Sequence, residues 1–335
     1  MKIAIHDSPG SFSDHWIEYC KENNIDYKIV NAYNFDIVRQ VEDCDAFMWH
    51  HHHGNYKDVL FAKQLLYSLQ IAGKKVFPDF NTGWHFDDKL GQKYLLEAIG
   101  VSIVPTYAFY SKQAALEWVN KTTFPKVFKL RGGAGSMNVK LVKTPKEAIK
   151  MINRAFSKGF TQFDRWGSLN ERIRKYKDGK DSLLSICKGI ARLFISTDFS
   201  RMHCREKGYI YFQDFIPDNS FDTRIVVIGA EKAFGERRFV RKNDFRASGS
   251  GDFSYDGIDL GAVRIAFEVS KKLGLQSVAL DFVTDSSNNP LIVEMSYGFG
   301  TDGIKNSLGY WDEQLHWHET TINIPAHLVE ILMKG

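Results

Sequence analysis

The sequence predicts a chain of mixed class, α/β at its start and α+β after it. Three observations lead there. Strand and helix patterns alternate through the first eighty residues, stretches 222–240 and 276–300 read as hairpins, and a glycine-rich turn joins two strands within 124–142. At about 150 residues per domain, a chain of 335 residues makes two domains, or three if some are small. A composition of 44% hydrophobic and 25% charged residues fills more than one core and excludes a mostly disordered chain. The four cysteines, Cys20, Cys44, Cys187 and Cys204, form no CxxC pair. That excludes a zinc ribbon or a disulfide-stapled scaffold and favours a reducing compartment. The opening MKIAIHDSPG reads as a strand and not a signal peptide. No apolar run reaches the ~18 residues of a membrane helix, so the expectation is a cytoplasmic protein without a membrane span.

The net charge of +4 is uneven. Residues 150–210 hold 14 Lys/Arg against 6 Asp/Glu, which is 14 − 6 = +8, so the remainder sums to −4. A near-neutral body with one basic segment does not describe a nucleic-acid binder, and the segment lacks the regular aromatic interleaving that strand binding uses.

Taken in order, 2–8 is a strand that runs into an SPGS turn, and 14–22 has helical spacing. Strands at 27–32, 46–50 and 74–79 alternate with helices at 35–44 and 56–73, a parallel three-layer pattern. Ligands of open parallel sheets sit beyond the carboxyl ends of the strands, which places SPGS and the run His50–His53 at a candidate substrate edge. Neighbouring strand residues face opposite ways, so the four histidines read as a strand end lining a polar loop, as one or two substrate contacts, or as a metal site. Next come a helix at 84–100, an extended stretch at 101–110 and a helix at 111–121. A helix at 144–156 has Thr144 as N-cap and Pro145 at its first position. Segment 157–207 is basic and weakly periodic and contains RWGSLNERIRKYKDGK (165–180), which reads as an additional helix covering the lid; the segment is either a solvated insertion or a contact for an anionic acceptor. A strand at 209–216 and a helix at 259–274 complete the pattern, giving expected pieces 1–85, 86–208 and 209–335.

Three constellations carry chemistry. In KLRGGAGS, Lys129 to Ser136, glycines between two strands let backbone N–H groups approach phosphate oxygens. If the 276–300 strands pair about the SSNNP turn, Asp281 and Glu294 face each other. Facing acids repel unless a cation lies between them, and hard oxygen ligands suit Mg²⁺. Arg224, Arg237, Arg238, Arg241 and Arg246 crowd into 23 residues, either a solvated sheet face or a site for an anion.

In chain order DDK, FPKVFKLRGGAGS, QDFI, DTR, NDFRAS, ALDF and VEMS resemble the ATP-grasp superfamily, specifically its glutathione-synthetase-like and ribosomal-protein glutamate ligase-like carboxylate–amine ligases, from Asp88 to Ser296. The resemblance implies an ATP-grasp fold preceded by a parallel α/β domain, with ATP and Mg²⁺ (or Mn²⁺) bound between lid and C-terminal domain. It implies Lys89 and Lys129 on the nucleotide phosphates, and Gly132, Gly133, Gly135 and Ser136 in the loop that closes over them. Gln213, Asp214, Phe215 and Ile216 would read the adenine edge, and Asp222 the ribose. Arg246, with Arg224 and Arg241, would balance charge at the transferred phosphate, and Asp281 and Glu294 would hold magnesium. The family's Asn two residues after the second carboxylate is Ser296 here, whose hydroxyl can ligate the ion or hold a water. The aromatic tail 298–319, with Tyr310, Trp311 and Trp317, suits sugar stacking or core packing. GYWD and NDFRASGSG are also similar to ATP-grasp proteins of bacterial surface-polysaccharide biosynthesis. The implied activity is amide formation between a small-molecule carboxylate and an amine, one of them on a sugar, through an acylphosphate and in a homodimer. A small-molecule kinase and a non-catalytic ATP-binding regulator are the rivals.

Overall fold

The computed structural model describes residues 1–133, 138–177, 179, 181–194, 202, 204–241, 244–247, 251–301 and 303–334. Its elements follow in chain order. The first are β1 (Ile3–His6), α1 (Phe12–Glu22), β2 (Tyr27–Val30), α2 (Ile37–Gln40), β3 (Ala46–Met48), α3 (Tyr56–Ile71), β4 (Lys75–Phe77), α4 (Phe80–Gly83) and α5 (Lys89–Ala98). Then come β5 (Thr106–Phe109), α6 (Lys112–Val119), β6 (Lys126–Lys129), β7 (Lys140–Val142), α7 (Pro145–Ala155), α8 (Arg165–Lys177), α9 (Leu183–Phe194) and β8 (Ile210–Asp214). The last are β9 (Phe221–Ile228), β10 (Lys232–Phe239), β11 (Phe253–Ser254), α10 (Leu260–Leu273), β12 (Ser277–Thr284), β13 (Pro290–Ser296), β14 (Gly309–Trp311), β15 (Trp317–Glu319) and α11 (Ile324–Lys334).

Two compact units emerge. One comprises 1–86, 94–103 and 218–335, the other 87–93 and 104–217. The first holds a parallel sheet in the order β2-β1-β3-β4 and an antiparallel sheet in the order β13-β12-β9-β10-β14-β15, with β11 paired to β10. The second holds an antiparallel sheet in the order β5-β8-β6-β7. Parallel and antiparallel sheets together bear out the predicted mixed class.

Alternation along β9 explains the first unit. Ile225 and Val227 face α10 and pack with Val263, Ala266 and Phe267. Val226 and Ile228 face the other way and share a core with Ile3, Ile5, Met48 and Phe77 of the parallel sheet. Each strand therefore feeds two cores through its pleat. On the second face the apolar row ends at Val226, and the next residues of that face, Arg224 and Asp222, are charged. The candidate site begins where the core stops.

In the second unit α6 and α7 cover one sheet face through Ala115, Val119, Ala148 and Ile152, packed on Phe128 and Phe212. Thr144 caps α7 as expected, its hydroxyl accepting from the Glu147 amide at 3.3 Å. Two predicted helices differ in extent. The helix expected over 35–44 is held to Ile37–Gln40, because Glu42, Asp43 and Asp45 put negative charge at its carboxyl end. The helix expected over 84–100 starts at Lys89, because Asp87 takes a left-handed φ of 54°. In segment 157–207 the added helix read at 165–180 is observed as α8, and it is joined to a second helix, α9, by the Arg172 Nη1 bond to the Ser185 carbonyl at 3.3 Å. No helix among the described residues is long and apolar enough to cross a membrane.

Candidate active site

Strand pairing builds a charged row across the antiparallel sheet. Glu236 on β10 pairs with Arg224 on β9, Arg224 pairs with Asp281 on β12, and Asp281 pairs with Glu294 on β13. The expected meeting of Asp281 and Glu294 is thus observed in the register. Two residues along the same face, Arg238 on β10 pairs with Asp222 on β9.

Bonds within the row are short. Arg224 donates from Nε and Nη2 to the two Asp281 oxygens at 2.8 and 3.0 Å. Arg238 donates to both Asp222 oxygens at 2.7 Å, and its Nη2 lies 2.7 Å from Asp281 Oδ2. Arg238, Asp281 and Glu236 are all buried. Burial by itself raises the Asp281 carboxyl, but Arg224 and then Arg238 outweigh it and hold that carboxyl well below the usual range. Glu236 behaves oppositely. Burial raises it, and the pull of Arg224 and Arg238 does not bring it back.

A divalent cation fits this row. Four carboxylates (Asp222, Glu236, Asp281, Glu294) against two guanidinium groups leave −4 + 2 = −2. Asp281 spends three of about four acceptor positions on arginine, which leaves one for a ligand. Ser296 lies two residues from Glu294 on the same strand face and donates from Oγ to the Gly298 carbonyl at 3.1 Å. The donors are hard oxygens, as Mg²⁺ requires, and it needs only one or two carboxylates where phosphates supply the rest.

The other predicted arginines divide. Arg246 is clamped by Asp244, with Nε–O distances of 3.0 and 2.9 Å and Nη2–Oδ2 at 2.6 Å. Arg241 is buried, with Nη1 3.9 Å from Asp244 Oδ2. Arg237 points to the opposite face, over the Phe221 ring at 4.4 Å. Neither Asp244 nor Glu236 stood out in the sequence. The available signal was period 2: Glu236 and Arg238 share a face in GERR, and Arg237 does not.

Of the residues expected at the nucleotide, Asp222 lies in the first unit and the lysines, glycine loop and 213–216 in the second. Lys89 and Lys129 are buried, Lys89 Nζ donating to the Gly133 carbonyl at 2.8 Å and Lys129 Nζ to Gln213 Oε1 at 2.7 Å. The Gly133 amide donates to Asp87 Oδ1 at 2.6 Å, and Gly133 has φ 113°, a conformation suited to glycine. A Cβ at Gly132 would lie 3.0 Å from Asp87 Oδ2. Gly135 and Ser136 lie outside the described residues. Gln213 is tied by Nε2 to Thr106 Oγ1 at 3.2 Å, and the Asp214 carboxylate takes buried Lys126 at 2.5 Å. Phe215 and Ile216 follow β8 directly.

The histidine run follows β3, outside the strand, and its members differ in their surroundings. His50 stacks on Phe12 at 3.9 Å and accepts from the Phe12 amide through Nδ1 at 3.2 Å. His51 is buried, with Nε2 unpartnered among the described residues. His52 is exposed. Among the described residues no three His, Cys, Asp or Glu side chains gather as a metal site. In the tail, Tyr310 and Trp311 pack against the two cores, and Trp317 is 45% exposed.

Solved structures share this architecture along most of the chain. An ATP-grasp RimK-domain protein of Sphaerobacter thermophilus matches 88% of this chain and 90% of its own at 15% identity and TM-score 0.53. The D-alanine–D-alanine ligase of Bacillus anthracis, solved with ATP, matches 100% of this chain and 96% of its own at 12% identity and TM-score 0.59. The ATP-grasp ligase PsnB, solved with a minimal precursor, Mg and ADP, matches 99% and 97% at 11% identity and TM-score 0.55.

The chain has the ATP-grasp fold.

No protein-family model and no curated protein matches the chain in sequence. Within the ATP-grasp fold, the charged row lies on one sheet of the first unit and the lysines on the sheet of the second.

Proposed function

We propose that this ATP-grasp chain is an ATP-dependent carboxylate–amine ligase. The observation that carries the reading is the row of four carboxylates and two arginines with a net −2, a balance that one divalent cation completes. The solved neighbours with ATP, or with Mg and ADP, support nucleotide use. In this reading Asp281, Glu294 and Ser296 hold Mg²⁺, which when bound would neutralise charge on the β- and γ-phosphates.

The remaining roles belong to the chain's own side chains. Lys89 and Lys129 contact nucleotide phosphates, and Gly132, Gly133, Gly135 and Ser136 approach them through backbone amides. Gln213 to Ile216 line the base and Asp222 the ribose edge. Arg246, Arg224 and Arg241 orient the substrate carboxylate for attack on the γ-phosphate and balance the charge that develops, so that positioning and electrostatics do most of the work. The product of that step is an acylphosphate and ADP. An amine then displaces phosphate at the acyl carbon, and excluding water protects the intermediate.

We further propose that one substrate is sugar-linked, supported by exposed Trp317 and by the GYWD and NDFRASGSG likeness. ADP release across a panel of carboxylates and amines, with hydroxylamine trapping, tests the reading. The expected result is a hydroxamate and an amide product. A stable phosphorylated alcohol would establish a kinase, and nucleotide binding without ADP release a regulator. Equal turnover of sugar-free substrates would remove the sugar. Glu294→Gln should lower ADP release by roughly 100-fold or more with an unchanged unfolding midpoint, and near-normal release would sink the metal assignment.

A further inference from the structure

Arg224 has an acid on both sides. Its register partner on β12 is Asp281, which it binds through two of its five N–H groups; its register partner on β10 is Glu236, to which it makes no hydrogen bond. Adjacent strands lie about 4.8 Å apart on either side, so one guanidinium on a flexible stem is flanked by two carboxylates on the same face. One of the two is occupied.

Glu236 is the exception in a tightly bonded neighbourhood. It is 2% exposed, and its Oε2 is buried without a hydrogen-bond partner among the described residues. Gly303 packs directly on it, and a Cβ there would overlap that oxygen. One carboxylate oxygen is therefore held against Gly303 without a partner among the described residues, an arrangement that costs free energy in this state and that a guanidinium would relieve.

Cation binding at Asp281 provides that state. Three arginine N–H bonds already crowd its oxygens. Arg238 is anchored a second time by the Asp222 carboxylate, whereas among the described residues the carboxylate bonds of Arg224 go to Asp281 alone. Arg224 is the partner that can leave. Arg224 is only partly exposed, a guanidinium there is favoured beside an anion, and Glu236 is the acid across the strand.

We propose that Glu236 is a positioning residue for the metal-binding carboxylates: when a divalent cation takes Asp281 and Glu294, Arg224 transfers its guanidinium from Asp281 to Glu236. The row then passes from an internally paired state to one in which every carboxylate has a cation. Glu236 acts through Arg224 and touches neither metal nor substrate. The inference rests on the metal reading of Asp281 and Glu294 given above.

The test is a double-mutant cycle on the full chain, with Mn²⁺ alone as probe and free Mn²⁺ read by electron paramagnetic resonance. Glu236→Gln should weaken Mn²⁺ binding about tenfold, the scale of losing an outer partner of a metal ligand. Glu236→Asp should recover part of that loss. In the Arg224→Gln background the Glu236→Gln penalty should vanish, because no guanidinium remains to be received. Undiminished binding in Glu236→Gln, or an equal penalty with and without Arg224, overturns the proposal; the second outcome would be a through-space charge effect. If Glu236→Gln does not fold, as read by its urea transition, Glu236→Asp serves in the same cycle and must show the same dependence on Arg224. Wild-type chain that binds no Mn²⁺ overturns the metal reading itself, and this inference with it. Mn²⁺ bound without coupling removes this inference alone.

Discussion

His50 illustrates how one side chain sets a pH dependence. Burial, with His52 and His53 adding to it, lowers its pKa to about 3, and burial with nearby Lys63 lowers His51 as well. In the unfolded chain both take a proton near pH 6.5. Between those values the unfolded state binds more protons, so stability is fully present above about pH 6.5 and is lost as pH falls toward 3. Each histidine contributes a slope of up to about 1.4 kcal/mol per pH unit. His50→Asn keeps an acceptor for the Phe12 amide and cannot charge. Urea midpoints from pH 7 to 4 should fall less steeply for this variant than for wild type, and parallel curves would refute the assignment. The sequence places four histidines at a strand end, but their burial depends on Phe12, Phe86 and Tyr297, which are remote in the chain. The same holds in the charged row. Asp281 and Glu294 are readable as neighbours only to within one residue: counted from the turn Asp281 would face Val293, and a bulge beyond the Phe282–Ile292 pair brings Glu294 opposite it. The bonds of Asp281 to Arg224 and Arg238 are not readable, because they cross strands whose pairing local sequence does not state.

Helices were the easiest elements to read, because caps are local chemistry. Thr144 accepts from the Glu147 amide, and the Glu147 side chain accepts from the Lys143 amide at 2.8 Å. Thr144→Ala should destabilise the fold by about 1 kcal/mol and Thr144→Ser by much less, measured by urea unfolding; equal losses would mean that the hydroxyl bond is not what stabilises the cap. Elements fail to follow the pattern where charge or backbone geometry intervenes. The apolar spacing of 35–44 continues past Gln40, but acids at its end stop the helix. Over 157–207, the stretch 165–180 reads as a helix and forms α8, whereas α9 is recognisable only through its packing on α8, where Leu169 and Arg172 close over Gly189. Gly274 ends α10 with a left-handed φ of 62°, as a glycine after a helical run leads one to expect.

At the scale of the molecule, the first and last parts of the chain form one unit. Trp16 Nε1 donates to the Pro325 carbonyl at 2.9 Å, and the Tyr19 hydroxyl donates to Glu330 at 2.9 Å, tying α1 to α11. The parallel sheet and the antiparallel sheet share a core through Ile3, Ile5, Val226, Ile228 and Phe234. Residues 87–335 produced without 1–86 should therefore expose that apolar face and aggregate, while co-expression of both pieces should restore soluble protein. A soluble, cooperatively unfolding 87–335 fragment would contradict the shared core. The sequence by itself determined the mixed class, most elements and the joining of the 276–300 strands by a short turn, because periodicity, caps and short turns act over a few residues. Tertiary structure alone decided the bulge that sets Asp281 against Glu294, which carboxylates the arginines bind, that Glu236 is buried with one oxygen lacking a partner among the described residues, and that the chain's two ends share a core. Those depend on strands brought together from distant positions, where register and burial are set by the whole packed unit.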